Sequence, residues 1–306
     1  MEDEGGSSVR RWEDLDTDIL MRIFESFDIF ELTSGIAHVC SSWRFACCDP
    51  ILWKTLDLSE LTSNFIQTPL EPYVYVHGRS DKMLTRILKT SLNLSRGNTQ
   101  TVIFHFNLYV SDEQLTYTAE RCPKLRRLVL PALNRIKKTG LCKAIRIWRD
   151  LESFTMPSIA NPPYLMEEIA NNCKNFRELK IMGPFDIYFA STLVAYLPNL
   201  KVLSLRCSVL YRETLILILE GLRNLEVLNI SHCLLIDVPP VPAPRRILTT
   251  LDQTILDKAA HLQEFLTCME QSCAMCQRTR NDEGLMRWYK YEKGLWKADE
   301  VSSLAL

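Results

Sequence analysis

The sequence has no long hydrophobic run and almost no net charge. None of its apolar stretches approaches the length that a helix needs to cross a bilayer, which excludes a membrane-spanning helix. Lys and Arg total 36 against 37 Asp and Glu, a formal net charge of -1. The charge balance therefore gives no indication of a nucleic-acid or membrane-surface partner, and we predict neither.

Sequence signatures of catalysis are also lacking. The chain has no phosphate-binding loop, no dinucleotide-binding glycine pattern, no nucleophile elbow and no HExxH zinc motif. Its five histidines are scattered. Because catalytic side chains can meet in space from distant positions, an enzyme remains an alternative. The prediction is a non-catalytic protein with no cofactor.

No secretory signal is visible at the N-terminus, where residues 1–10 are acidic, rich in Gly and Ser, and predicted to be flexible. The eleven cysteines are therefore expected to be reduced thiols, in the cytoplasm and/or nucleus. Cys273 and Cys276 have the spacing of half a zinc site. A second such pair is missing, and His261 and Cys268 complete a set only if the chain bends back. No metal is predicted, and the two cysteines are weak candidates.

What the sequence does have is a dense apolar pattern between residues 12 and 58. Leu15, Ile19, Ile23, Phe24 and Phe27 recur at steps of three and four, the period of one buried helix face. A second apolar set follows and ends at an Asp-Pro pair. Three short helices are too few to bury so many aromatic side chains among themselves. Some of these side chains are expected to face a partner.

This stretch resembles the F-box, in the order L-x3-IL-x2-IF, then VC-x2-WR, then DP-x-LW. The matching residues are Leu15, Ile19-Leu20, Ile23-Phe24, Val39-Cys40, Trp43-Arg44, Asp49-Pro50 and Leu52-Trp53. The family usually has proline directly after the first leucine, where this chain has Asp16. A proline presets the first helical turn, so its loss is expected to weaken docking. Negative charge at the helix start offsets part of that loss.

A second pattern recurs through the middle of the chain at a period of about 25 residues. Each copy has core residues spaced L-x2-L-x-L, typical of a short parallel strand followed by a return segment that covers its far side. The copies begin at Thr99, Leu125, Leu151, Phe176, Leu200 and Leu225. This pattern resembles the leucine-rich repeat of plant-like or cysteine-containing type. Trp53, Leu56 and Leu58 fit the same frame, so the F-box is predicted to run straight into the first strand.

Residues between the core positions are predicted to face the concave side of the repeat array. The first row is Thr101, Arg127, Ser153, Glu178, Val202 and Val227, and the second is Ile103, Val129, Thr155, Lys180, Ser204 and Asn229. A mixed surface of this kind suits a protein partner better than a phosphate backbone, which would require a basic stripe. The candidate target-binding residues are Arg127, Glu178, Lys180, Arg206 and Asn229.

Two regions depart from the repeat. Between Leu58 and Thr99 the spacing allows either one long repeat or an additional degenerate one. Residues 237–248 are rich in proline and are predicted to form a linker. Beyond it, residues 251–271 are predicted to form one amphipathic helix that caps the last repeat. The basic and aromatic tail that follows is predicted to pack on this cap.

These patterns predict an α/β protein with an N-terminal three-helix F-box over residues 11–55. A short leucine-rich-repeat solenoid over 56–236 follows, with a parallel β concave face and helices outside, and then the linker and a helical C-terminal cap and tail over 249–306. The resemblance implies a substrate-recruiting subunit of an SCF (cullin-RING) ubiquitin ligase. The alternatives are a protein-interaction scaffold without degradation and a ligand-dependent receptor.

The implied partners are the SCF adaptor subunit, cullin-RING through that adaptor, and an unknown target protein held by the repeats. The F-box resemblance places adaptor binding on nine residues, without separating those that touch the adaptor from those that fill the F-box interior. The nine are Leu15, Ile19, Leu20, Ile23, Phe24, Val39, Cys40, Trp43 and Trp53.

Overall fold

A computed structural model describes residues 11–58, 61, 64–67, 74–104, 108–130, 136–157 and 162–281. The predictions made for residues 1–10 and for the basic and aromatic tail concern residues outside these ranges. The helices are α1 (Thr17–Phe24), α2 (Ile29–Ser34), α3 (Ser41–Ala46), α4 (Gly78–Leu94), α5 (Asp112–Arg121), α6 (Lys138–Ile147), α7 (Pro162–Asn172), α8 (Ile187–Tyr196), α9 (Arg212–Gly221), α10 (Gln253–Ala259) and α11 (Ala274–Asn281). Within the described ranges, no helix combines the length and the apolar character needed to cross a membrane.

The strands are short, as the repeat pattern requires. They are β1 (Thr55–Asp57), β2 (Phe65–Gln67), β3 (Val74–Val76), β4 (Thr101–Ile103), β5 (Arg127–Val129), β6 (Ser153–Pro157), β7 (Glu178–Met182), β8 (Pro184–Phe185), β9 (Val202–Ser204), β10 (Val209–Tyr211), β11 (Val227–Asn229), β12 (Leu234–Asp237), β13 (Arg246–Ile247) and β14 (Glu264–Leu266). Single 3₁₀ segments also occur at Trp12–Asp14, Ile36–His38 and Pro50–Trp53.

Two of the three N-terminal helices, α1 and α2, begin at acidic capping residues. The Asp16 carboxylate accepts a hydrogen bond from the Asp18 backbone N–H at the start of α1, at 2.9 Å. At the start of α2, Asp28 accepts from the Glu31 N–H while the Glu31 carboxylate accepts from the Asp28 N–H. These caps satisfy helix N–H groups that have no partner within the helix. The predicted three-helix unit is confirmed. Asp16, which occupies the position where the family usually has proline, caps the N-terminus of α1.

Eight parallel strands form one sheet in the order β1-β4-β5-β6-β7-β9-β11-β14. The register places Arg127, Ser153, Glu178, Val202 and Val227 side by side on successive strands. The second predicted row is aligned in the same way. The repeat frame that the sequence predicts is therefore the register of the sheet.

The interior lies between this sheet and the helices, which pack each against the next from α4 to α10. The core positions of the repeats are buried there: Leu125, Leu128, Leu130, Leu151, Phe154, Met156, Phe176, Leu179, Ile181, Leu200, Leu203, Leu205, Leu225, Leu228 and Ile230. A single repeat cannot bury these side chains alone, so stacking of neighbours is what stabilises the array.

The region between Leu58 and Thr99 is one long repeat, because β1 pairs directly with β4. Its extra length forms an antiparallel hairpin of β2 and β3 and the 17-residue helix α4. The buried Asn64 side chain secures this insertion to the next repeat. Its Oδ1 accepts from the Tyr109 backbone N–H at 2.8 Å, and its Nδ2 donates to the Tyr109 carbonyl at 3.1 Å.

A second, smaller sheet was not predicted. Strands β8, β10 and β12 are parallel, and β13 adds antiparallel to β12. Sharp turns carry the chain from the large sheet to the small one, and Cys207 and His232 occupy them with φ of 56° and 62°. The proline-rich stretch predicted as a linker therefore contributes a strand, Arg246–Ile247, to this sheet.

The prediction of one helix over residues 251–271 is wrong. The stretch forms α10, a turn and β14, and β14 pairs parallel with β11. Leu262 and Phe265 thus take the L-x2-L positions of a further repeat, with Phe265 opposite Leu228. Burial of Phe265 beside the sheet edge competes with helix propensity, which is a weak preference. The end of the described chain is a repeat followed by α11.

Candidate protein-interaction surfaces

The F-box carries exposed apolar side chains that its small core does not take in. Seven of the seventeen large apolar side chains that are exposed among the described residues lie here. We call them the docking residues: Trp12, Ile19, Ile23, Phe27, Val39, Phe45 and Ile51. Ile19 and Ile23 lie one turn apart on α1 and are 49% and 37% exposed. Exposed apolar side chains concentrated in one small unit mark an interaction site.

Three of the nine predicted adaptor-binding residues are interior residues, which corrects their assignment. Leu20 and Phe24 lie on the inner face of α1, in the cluster between the three helices. There the Phe24 ring meets Trp43 edge-on, with centroids 5.4 Å apart. Trp53 is 1% exposed. Steps of four along α1 put Leu20 and Phe24 inside and Ile19 and Ile23 outside.

Three other predicted residues, Leu15, Cys40 and Trp43, are half-buried. Leu15 packs against the F-box core. The Cys40 sulfur accepts from the Trp43 backbone N–H at 3.4 Å, which caps α3. The Trp43 indole N–H in turn donates to the Trp12 carbonyl at 3.1 Å. These residues hold the segment that carries Trp12, which is itself exposed.

Four docking residues were missed by the sequence analysis as adaptor contacts: Trp12, Phe27, Phe45 and Ile51. Phe27 follows Ile23 by four residues, so the spacing of the outer face of α1 could have found it. Phe45 and Ile51 lie on helical segments of six and four residues. Segments of that length show too few turns for a periodic signal.

The F-box joins the repeats through Trp53. Its indole N–H donates to the Cys47 carbonyl at 3.0 Å, within the F-box. Its own carbonyl accepts from the Thr99 hydroxyl at 3.0 Å, within the repeats. The ring lies in the repeat core cluster together with Leu56 and Leu58, and the neighbouring Leu52 packs against both that cluster and the F-box core.

On the sheet, charged residues of β5, of β7 and of the segment after β9 come together. Arg127 pairs with Glu178 at 3.2 Å, and both are partly covered. The charges of Arg127, Glu178 and Arg206 all act on Lys180. Burial first, and then the positive charges of Arg127 and Arg206, lower the pKa of Lys180 from 10.5 to about 8 against the opposing effect of Glu178. We call these four residues the charge cluster.

Two members of the charge cluster are more covered than predicted. Lys180 is 8% and Arg206 is 3% exposed, so the expectation of open target-binding side chains is corrected for both. Neighbouring strands lie about 4.8 Å apart, so adjacent long side chains cover one another. The fifth predicted residue, Asn229, accepts from the Ser231 backbone N–H at 2.9 Å and so holds the turn after β11. Arg127 and Glu178 remain accessible in part.

Comparison with known proteins agrees with both parts of this architecture. Residues 12–59 match the F-box-like family. The F-box/LRR-repeat protein At3g48880 of Arabidopsis thaliana is 68% identical over 309 residues, covering 100% of both chains. This chain belongs to the F-box/LRR-repeat protein family. Such a protein is an F-box adaptor of SCF-type ligases, and its F-box implies binding of the SCF adaptor subunit.

More distant relatives extend over most of this F-box/LRR-repeat protein. The putative F-box protein At4g11580 of Arabidopsis thaliana is 27% identical, covering 97% of this chain and 96% of the relative. The F-box protein SKIP1 of the same species is 27% identical, covering 76% and 81%. A solved leucine-rich repeat-containing protein, LegL7 from Legionella pneumophila, covers 58% of this chain and 77% of its own, with 12% identity and a TM-score of 0.32.

Most thiols of this F-box/LRR-repeat protein that lie among the described residues fill its interior. Burial raises the pKa of Cys122, Cys173 and Cys233 to about 12, so these thiols stay protonated at neutral pH. A protonated thiol is a weak nucleophile and a weak metal ligand. These three cysteines therefore act as small apolar residues.

Four potential metal ligands come together beyond the last strand. They are His232, Cys268, Cys273 and Cys276, whose ligand atoms lie within 4.8 Å of one another. Cys273 and Cys276, the weak candidates from the sequence, thus lie beside Cys268, which the sequence also offered as a ligand. The histidine of the group is His232, which the sequence did not suggest. His261 is exposed instead and interacts with the Lys258 carbonyl through Nδ1 at 2.8 Å. Only the turn after β11 brings His232 here, and no spacing rule predicts that turn.

We expect Lys180→Met to stabilise the protein below pH 8. Because the folded-state pKa of Lys180 lies below 10.5, the unfolded chain binds more protons between pH 8 and 10.5, and the wild type gains stability as pH rises through this window. At about 1.4 kcal/mol per pH unit, the advantage of Lys180→Met is about 3 kcal/mol at pH 7 and disappears above pH 10.5.

Urea unfolding of both proteins from pH 7 to 10.5 measures this difference. The exposed pair partner Lys143, changed to Met, serves as the control with no pH-dependent advantage. A difference between wild type and Lys180→Met that stays constant over the range would contradict the lowered pKa.

Proposed function

We propose that this F-box/LRR-repeat protein is the target-recruiting subunit of an SCF (cullin-RING) ubiquitin ligase. The docking residues bind the adaptor subunit, and the concave face of the repeats binds a target protein. The observation that carries the proposal is that the F-box passes directly into the first strand of the repeat sheet. The F-box ends at the 3₁₀ segment Pro50–Trp53, and β1 begins at Thr55 as a strand of the repeat sheet.

The docking residues support adaptor binding by their chemistry. Ile19, Ile23 and Val39 expose aliphatic surface on a folded scaffold, so their burial against a partner requires little rearrangement of the backbone. Full burial of such a side chain stabilises a complex by about 1.5–3 kcal/mol. Several such side chains together account for a stable interface. Phe45, the most exposed of the docking residues within a helix at 75%, is a further contact.

The charge cluster supports a target with an acidic segment. It contains three cationic side chains, Arg127, Lys180 and Arg206, and one carboxylate, Glu178. An added carboxylate from a target would relieve the repulsion among the cations and favour the protonated form of Lys180.

The mechanism is positioning. Holding a target on the repeats while the F-box is fixed to the ligase converts the encounter with a ubiquitin-conjugating enzyme into an effectively intramolecular one. The conjugating enzyme transfers ubiquitin, and this subunit makes and breaks no bond. The eleven cysteines are free thiols, the state expected in the cytoplasm or nucleus, where we propose that the protein acts.

The test is affinity purification of the tagged full chain from plant cells, followed by mass spectrometry. We expect adaptor and cullin peptides with the wild type, together with proteins that accumulate when the proteasome is inhibited. The double variant Arg127→Ser/Glu178→Ser removes an ion pair on the concave face. It should retain the adaptor and lose the target at least tenfold.

A matched control removes an ion pair on the outer helices, in Lys143→Ser/Glu120→Ser, where the charged atoms lie 2.9 Å apart. This control should retain both adaptor and target. Absence of adaptor and cullin from the wild-type sample would contradict the ligase assignment. Recovery of the adaptor together with partners whose levels do not change when the proteasome is inhibited would instead favour a non-degradative scaffold.

A further inference from the structure

We propose that His232, Cys268, Cys273 and Cys276 bind one structural zinc ion that fastens the last repeat to the array. The four ligand atoms all lie within 4.8 Å of one another. His232 Nδ1 lies 3.3 Å from the Cys276 sulfur and 3.5 Å from the Cys273 sulfur. The sulfurs of Cys268 and Cys276 are 3.7 Å apart.

These separations match the edges of a zinc coordination tetrahedron. With Zn–S of about 2.3 Å and Zn–N of about 2.05 Å, ideal tetrahedral angles place two sulfurs about 3.8 Å apart and a sulfur and a nitrogen about 3.6 Å apart. The three separations of 3.3, 3.5 and 3.7 Å differ from these values by a few tenths of an ångström, and the other three are at most 4.8 Å. The four side chains are therefore close enough for one zinc ion to bind all of them after small side-chain shifts.

The backbone delivers these ligands from three separate segments. His232 lies in the turn after β11 with φ of 62°, a left-handed conformation that is uncommon for residues other than glycine. Its backbone N–H donates to the Cys268 carbonyl at 2.8 Å. Cys268 follows β14, and Cys273 and Cys276 lie at the start of α11. The Cys276 thiol also donates to the Cys268 carbonyl at 3.3 Å, so hydrogen bonds join all three segments.

The ligand set and its burial select the kind of ion. Three thiolates and one imidazole form a soft set that suits zinc and does not suit magnesium or calcium, which prefer oxygen. His232 and Cys276 are buried, and Cys268 and Cys273 are half-buried. Four protein ligands complete the tetrahedral coordination of a zinc ion and leave no coordination position for a substrate. The site is therefore structural and not catalytic.

The position explains what the ion would do. β14 is the last strand of the sheet, only three residues long, and Phe265 is half-buried against the core. The following helix α11 has eight residues and buries Met275, Cys276 and Thr279. Because β14 and α11 bury little apolar surface, packing alone stabilises them weakly. Zinc binding would add its binding free energy to the stability of the folded state. The ion would close the end of the solenoid, where an array needs a cap.

The test measures zinc in the purified full chain by inductively coupled plasma mass spectrometry. We expect one zinc per chain in the wild type and in Cys48→Ser, which changes a half-buried thiol outside the cluster. We expect at least a tenfold loss in Cys273→Ser and in Cys276→Ser. Cobalt in place of zinc should give the intense visible absorption of a tetrahedral thiolate site.

A second measurement does not depend on the folding of any variant. Removal of zinc from the wild type with a chelator should expose the three cluster thiols to alkylation, and added zinc chloride should protect them again. A wild type that contains no zinc, gains none on titration and shows the same thiol reactivity with and without chelator would overturn the proposal. Zinc retained in both serine variants would overturn it as well.

Discussion

Adaptor binding is expected to weaken by at least about 100-fold in the double variant Ile19→Asp/Ile23→Asp. Both side chains are exposed on one face of α1, 49% and 37%, so neither contributes much to the F-box interior. Truncation of an apolar anchor at an interface centre costs roughly 2–4 kcal/mol. Two such losses exceed the roughly 2.7 kcal/mol that corresponds to 100-fold in Kd. Titration calorimetry with the purified adaptor measures the change.

A matched control introduces the same residue elsewhere. Ile187 at the start of α8 is also 49% exposed, and Ile187→Asp should leave adaptor affinity within about twofold of the wild type. Equal affinity of the double variant and the wild type would contradict the docking assignment. Changing Leu20 does not test docking, because Leu20 is buried and Leu→Ala at such a site costs roughly 2–5 kcal/mol of folding stability.

The second large effect is expected on stability, at Trp53. Trp53→Ala should lower the free energy of unfolding by roughly 3–5 kcal/mol, the usual range for removing a buried aromatic side chain. The variant loses the ring from the repeat core cluster and leaves the Cys47 carbonyl without its indole donor. Urea unfolding followed separately in the F-box and in the repeats measures the change.

Because Trp53 contacts both parts, we expect the unfolding midpoints of the F-box and of the repeats to fall together. Trp12→Ala, which removes a 61% exposed indole, is the control and should change the unfolding free energy by less than about 0.5 kcal/mol. A Trp53→Ala protein whose F-box unfolds early while its repeats keep the wild-type midpoint would show that the two parts are independent.

The repeat array was predictable because the spacing of the repeats in the sequence determines which residues of neighbouring strands pair. A period of about 25 residues with L-x2-L-x-L specifies which residues align, and Arg127, Ser153 and Glu178 align as the spacing predicts. The period did not reveal β14, because the step from Leu225 to Leu262 is longer than the repeat period of about 25 residues. It did not reveal the small sheet either, because strands of two to four residues carry no periodicity of their own.

The functional surfaces were predictable in part, for a related reason. The order of the motif residues identified the F-box region. Within a single turn of α1, however, buried and exposed residues alternate, so the sequence predicted adaptor binding for the buried Leu20 and the exposed Ile23 alike. Only packing separates them. The four-ligand cluster depended on a left-handed turn at His232, a conformation that is uncommon for any residue other than glycine and that no sequence spacing predicts. Such a turn is imposed by its neighbours and not by local propensity.

The Trp53 joint means that the boundary between F-box and repeats in the sequence is not a boundary in the folded protein. The conventional cut after residue 55 would pass through β1 and open a pocket filled by Trp53, Leu56 and Leu58. Repeats produced without the F-box would expose the edge of β4, which is a template for self-association. Exchange of F-boxes between members of this family should therefore preserve the segment through Leu58.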